Sequence, residues 1–166
     1  MERKDLQEIL DKELKVNQIT VRKWSAGSCG SAYGGIKREV KIPKPIDVDT
    51  LGVCFHEIAH VVLGQCEGGW QQNIPVWKQE YTAEQYAINK LKEYKLDENG
   101  IKEFEERARR HVTMIIAKAF CRKLKLDRVS EEVKTWCKVD FTQWEGNKVF
   151  VENWETNKGE LKITFS

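Results

Sequence analysis

His56-Glu57-Ile58-Ala59-His60 sets two imidazoles four residues apart, with a carboxylate directly after the first. On a helix that spacing brings both rings to one face, so two neutral ring nitrogens can converge on a single cation. Zinc suits such a pair. It takes imidazole nitrogen at about 2.0–2.1 Å, and a catalytic site keeps one of its tetrahedral positions for water. Glu57 is then predicted to act as general base on that water, whose pKa the metal lowers from about 15.7 towards about 7.

The competing explanation is a core helix that happens to contain two histidines. Usage argues against it, because the chain has 3 histidines and two of them fall in this pentad. Val53, Phe55, Ile58, Val61, Val62 and Leu63 make the surrounding helix apolar enough to be buried. Two buried imidazoles beside a buried carboxylate are costly to desolvate without a ligand.

A third protein ligand is required. Glu80, in the next expected helix, is the expected donor, with Glu67, Cys66 and His111 as competing donors. Glu84 lies one turn beyond Glu80 and on the same helix face. It is expected to accept a hydrogen bond from the second ring nitrogen of a ligand histidine, which fixes the tautomer and raises the basicity of the ring. Tyr33, Tyr81 and His111 have the chemistry of an oxyanion donor, and nothing in the sequence ranks them.

These residues need helices to carry them. Asp47, Asp49 or Thr50 can cap a helix that Gly64 stops after Leu63, and a further helix is expected over residues 78–94, broken near Asn99-Gly100. Leu6, Ile9, Leu10 and Leu14 form the apolar stripe of a first helix. Strands are expected at 19–24 and 36–42, joined by a turn-rich stretch over 25–35 and forming a hairpin or neighbouring sheet edges, with Pro43 and Pro45 ending the second. Beyond residue 100, a long helix with Ile101, Phe104, Ala108, Val112, Ile115 and Ala119 inward is followed by a short helix capped by Ser130. Strands at 139–144 and 148–154 are expected to form a hairpin around Glu145-Gly146-Asn147, with a third at 161–165. Trp136, Trp144 and Trp154 then fall on a small sheet and fill its core.

Composition bounds the rest. The 166 residues contain no long Pro, Gly or Ser stretch, so one compact domain with an appended part is expected, divided as 1–96 and 97–166. The 5 cysteines include Cys29, Cys54 and Cys66. They are odd in number, form no Cys-x-x-Cys pair and follow no signal peptide, which predicts a reducing, cytoplasmic setting. No apolar run approaches the roughly 20 residues that cross a bilayer, so no membrane partner is expected. A net charge of +2 gives no global case for nucleic acid. Locally, Arg107, Arg109, Arg110, Lys118, Arg122, Lys123, Lys125 and Arg128 could serve a nucleic-acid-associated role, with the following helix and hairpin as a winged-helix-like reader. The commoner explanation is a solvated basic face at a helix C-terminus, where the macrodipole favours cations.

The pentad in CFHEIAHVVLG, followed after a loop by EYTAEQYAINKL, resembles the gluzincin metallopeptidases, and most closely the ImmA/IrrE-like members, whose second helix carries E-x-x-A-[DE]-x-[FY]-A. The resemblance implies Glu80 as metal ligand, Ala83 and Ala87 as small packing residues, Glu84 as the acid behind a ligand histidine and Tyr86 as the aromatic. Glu84 departs from the usual aspartate. WSAGSCG is also similar to the segment before the pentad in SprT-like proteases, but those use a third histidine, and His111 lies far beyond that spacing. The likeness covers residues 19–94. It implies an α+β zincin-like domain with a small sheet on the two helices, Zn2+ as cofactor, and metallo-endopeptidase activity on an intracellular protein such as a transcriptional repressor. The strand at 36–42 would then be the edge beside the metal, where an extended peptide adds by β-augmentation. A zinc-holding regulatory module without turnover is the rival reading.

Overall fold

The structure is a computed structural model that describes residues 3–26, 30–33, 37–66, 74–121, 125–145, 149–152 and 162–165. Cys29, Ile36, Glu67, Arg122, Lys123, Gly146, Asn147, Trp154 and Leu161, all singled out above, lie outside the described residues. The architecture is mixed α+β, with five α-helices, a three-stranded mixed sheet and a two-stranded antiparallel pair among the described residues. Two compact units divide the chain, Met1–Glu105 and Glu106–Ser166. No helix among the described residues is long and apolar enough to cross a membrane.

Helix α1 (Arg3–Val16) buries Leu6, Leu10 and Leu14, the stripe its spacing predicts. Glu13 is buried with them, accepting from the Lys90 ammonium at 3.1 Å and the Tyr94 hydroxyl at 2.7 Å. Strand β1 (Thr20–Ser25) follows, and then β2 (Ser31–Tyr33) and β3 (Glu39–Pro43). β1 pairs parallel with β3 and β2 antiparallel with it, giving the order β1-β3-β2. Arg38 fixes the entry to this sheet: its guanidinium donates to the Asn17 carbonyl at 3.0 and 3.2 Å, and its own carbonyl accepts from Thr20.

This sheet corrects two expectations. The strand expected at 36–42 is β3, which is central rather than an edge; Val40 and Ile42 are fully buried, as a strand flanked on both sides should be. Among the described residues the edges are β1 and β2, and β2 lies in the Gly- and Ser-rich stretch read as a turn. Three residues are too few for alternation to register.

Helix α2 (Val48–Val62) starts at Asp47, whose carboxylate accepts from the Thr50 N–H at 2.8 Å while the Thr50 hydroxyl accepts from the Asp47 N–H at 3.1 Å. It is the hub of the first unit, packing on α1, β2, β3 and helix α3 (Val76–Glu93). The break after α3 does not fall at Asn99-Gly100 as the sequence suggested. Lys95 takes the left-handed conformation that closes α3, with φ 51°, and Asp97 caps helix α4 (Glu98–Cys121) by accepting from the Gly100 N–H at 2.8 Å, so Gly100 sits in the first turn of the new helix.

In the second unit, the buried stripe of α4 runs through Ala108, Val112 and Ile116, not Ile115, because a step of four residues holds the face. Ser130 caps α5 (Glu131–Cys137), as expected. Residues 139–144 are not a strand. Asp140 caps a 3-10 turn over Phe141–Trp144 whose two aromatic ends, three residues apart, both turn inward. β4 (Val149–Glu152) therefore pairs with β5 (Lys162–Phe165) instead. Two of the tryptophans expected on a small sheet lie elsewhere, Trp136 on α5 and Trp144 in the 3-10 turn.

Candidate metal centre

The capping that starts and stops α2 sets which of its faces meets α3, and both pentad histidines lie on that face. Their rings stand nearly perpendicular, at 84°, with the Nε2 atoms 3.0 Å apart. From α3, Glu80 Oε2 approaches His56 Nε2 to 3.3 Å and His60 Nε2 to 3.7 Å. His56, Glu57, His60 and Glu84 are buried and Glu80 is partly so. The structure thus brings His56, His60 and Glu80 together as a triad able to hold a cation.

The remaining ring nitrogens face acceptors, His60 Nδ1 in a hydrogen bond and His56 Nδ1 at ion-pair distance without hydrogen-bond alignment. His56 Nδ1 faces Glu84 Oε1 at 3.3 Å, and His60 Nδ1 faces Gln65 Oε1 at 3.0 Å. Both partners can accept, so both Nδ1 atoms are placed to carry the hydrogen, which leaves lone pairs on the two Nε2 atoms. With the Glu80 oxygen, three potential ligand atoms then face one another. That arrangement asks for a cation, and the separations of 3.0, 3.3 and 3.7 Å bracket the edge of about 3.3 Å expected of a tetrahedron with 2.0–2.1 Å bonds. The residues present fit a divalent metal ion.

The electrostatics agree. Burial alone would lower the His56 pKa, yet the facing carboxylates of Glu84 and Glu80 hold it well above the ordinary histidine value. Burial pulls the Glu80 pKa up, and its contacts with His56 and His60 overcome this and hold it well below the carboxylate range. The surroundings demand positive charge, as a proton or as a metal. For Glu57 the balance is reversed: burial raises its pKa, and the two imidazoles only moderate the rise.

Gly30, just before β2, lies flush against Glu57. A Cβ at position 30 would come within 2.4 Å of Glu57 Cγ and Oε1. Cys66 is buried close enough to feel the Glu57 charge, and its thiol is pushed up to about 11 by burial first and by Glu57 second. His111 belongs to the second unit. Of the oxyanion candidates, Tyr33 ends β2 and Tyr81 follows Glu80 on α3.

Sequence reasoning missed Gly30, Gln65 and Thr82. The last two form neutral hydrogen bonds that follow no spacing rule, although Gly64 did signal a helix end that turns the next residue back. Comparison with protein-family models, with curated proteins and with solved structures finds no match to this chain.

Proposed function

We propose that the chain is a zinc-dependent metallo-endopeptidase of zincin-like fold, with His56, His60 and Glu80 holding the metal and Glu57 as general base. The observation that carries this reading is the convergence of two ring nitrogens and a carboxylate oxygen at 3.0, 3.3 and 3.7 Å in a helix pair that also buries a spare carboxylate. Bound there, zinc supplies Lewis acidity and acidifies water. Glu57 takes up the proton of the attacking water and returns it to the leaving amine. Glu84 holds the His56 ring through Nδ1, and Glu80 supplies a negative charge that offsets the cation.

Support for a peptide substrate comes from the sheet. Among the described residues β2 pairs with β3 on one side only, so its other side offers main-chain groups to an extended chain. Gly30 leads directly into β2 and touches Glu57. A peptide added along β2 would run beside the general base.

Metal analysis of the purified protein should find near one zinc per chain, absent from His56→Ala and His60→Ala. Glu57→Gln should keep the metal and lose about 10²–10⁴-fold in turnover, read as accumulation of a native substrate in a proteomic comparison with wild type. Zinc retained by both histidine variants, or unchanged turnover in Glu57→Gln, rejects the reading.

A further inference from the structure

Helix α2 ends through a left-handed glycine. Gly64 has φ 68°, its N–H reaches the Val61 carbonyl at 3.3 Å, and the N–H of Gln65 reaches the His60 carbonyl at 2.8 Å. This pair of bonds folds the chain back over the last helical turn and ties the Gln65 backbone to the residue whose ring its side chain also meets. From Gln65 a line of hydrogen bonds crosses to α3. Oε1 lies 3.0 Å from His60 Nδ1, Nε2 donates to Thr82 Oγ1 at 2.8 Å, and that hydroxyl donates to the Gln79 carbonyl at 2.9 Å.

The direction of this line is set from its far end. A main-chain carbonyl can only accept, so the single hydroxyl hydrogen of Thr82 goes to Gln79. The Thr82 oxygen must then accept, which obliges Gln65 to present its NH2 to Thr82 and its carbonyl to His60. His60 in turn must carry its hydrogen on Nδ1. Its lone pair is left on Nε2, the atom that faces His56 Nε2 and Glu80.

We propose that Gln65 and Thr82 are positioning residues that set the tautomer and ring orientation of His60 before any metal arrives. The proposal rests on the metal reading above and extends it. His56 does not need such a device, because a carboxylate accepts whichever way it turns, and Glu84 faces its Nδ1. An amide is ambivalent: turned over, Gln65 would offer NH2 to His60 and drive the hydrogen to Nε2, where it blocks ligation. Thr82 removes that ambiguity.

The test uses the full-length protein with zinc as probe. Long-range 1H–15N spectra of the metal-free wild type should show the His60 hydrogen on Nδ1, and chelator competition gives zinc affinity. Gln65→Leu should mix the two tautomers and weaken zinc by about 10–100-fold. Thr82→Val should weaken it by a smaller factor, since the amide is kept and only its orientation is freed. Gln65→Glu should retain wild-type affinity, because either carboxylate oxygen accepts from Nδ1. In the Gln65→Glu background, Thr82→Val should cost nothing further, a coupling that mere loss of packing does not produce.

Hydrogen on Nε2 of His60 in the metal-free wild type, unchanged affinity in Gln65→Leu, or an equal loss from Thr82→Val in both backgrounds overturns the proposal. A wild type that binds no zinc while His60 carries its hydrogen on Nδ1 overturns the metal reading and leaves the hydrogen-bond line standing.

Discussion

The two units hold themselves together by different means. In Met1–Glu105 the buried side chains include Glu13, Thr50, His56, Glu57, His60 and Glu84, whereas in Glu106–Ser166 Thr113 is the one buried polar residue among the described residues, and the rest are aliphatic, aromatic or Cys137. Each buried charge costs several kcal/mol unless it is paired. The first unit therefore concentrates its buried ionisable groups at α2 and α3, where a proton or a bound cation would offset their desolvation, and the second buries none among the described residues. The buried ionisable groups and the almost purely apolar core thus lie in different stretches of chain, so the two units should respond to different perturbations.

The largest effect is expected in the second unit. Trp144 is fully buried, with its ring centroid 4.7 Å from that of Phe141 and 5.9 Å from that of Phe120. Trp144→Ala should cost about 3–5 kcal/mol, seen as faster hydrogen exchange in α5. Zinc affinity should stay at the wild-type value. A fall in affinity parallel to the loss of stability would break the separation.

Metal removal is the converse perturbation and somewhat smaller. Going from zinc at a hundredfold over Kd to chelator should cost the first unit about 2.7 kcal/mol, with exchange rising in α2 and α3 and not in α5. The sign with pH follows from the shifts. The depressed Glu80 pKa contributes stability above its ordinary 4.5, lost as pH falls, and the raised His56 pKa contributes below its ordinary 6.5, lost as pH climbs through the raised value. Burial of Glu57, which raises its pKa, removes stability in the same alkaline direction. Metal-free protein should thus be most stable at the acid end of the span from pH 4.5 to 6.5, losing the Glu57 contribution first and the His56 contribution next as pH rises, and zinc should restore what is lost on that alkaline side. Equal protection in α2 and α5 on chelation would remove the distinction.

How far the sequence foretold each unit follows the same division. The pentad and Glu80 were readable because their geometry is local: one helical period per element, plus caps at Asp47 and Gly64 whose chemistry is written in side-chain type. The central placement of β3 was not readable, since which strand takes the middle depends on a parallel partner nineteen residues back in chain, Thr20 with Glu39. Residues 139–144 misled because an apolar residue every third position and a short alternating run look alike over six residues. Gln65 and Thr82 were hidden for another reason. A neutral hydrogen bond across seventeen residues leaves no periodicity and no charge pattern.

The smallest and most local effect sharpens the comparison inside the first unit, where metal holding and proton handling can be separated. At Gly30 a methyl group would meet Glu57 Cγ and Oε1 at 2.4 Å and Cδ at 2.6 Å, all closer than any real contact. Either β2 moves out or the carboxylate swings away. A displacement of this order in a catalytic group lowers turnover by about tenfold or more, about 1.4 kcal/mol. Gly30→Ala should therefore slow hydrolysis while zinc stoichiometry and the melting temperature stay near wild type. A double-mutant cycle gives the decisive measurement. Glu57→Asp shortens the arm that the new methyl would strike, so the Gly30→Ala penalty should shrink in that background. Two losses that simply multiply would mean that Gly30 acts on β2 and not on the general base.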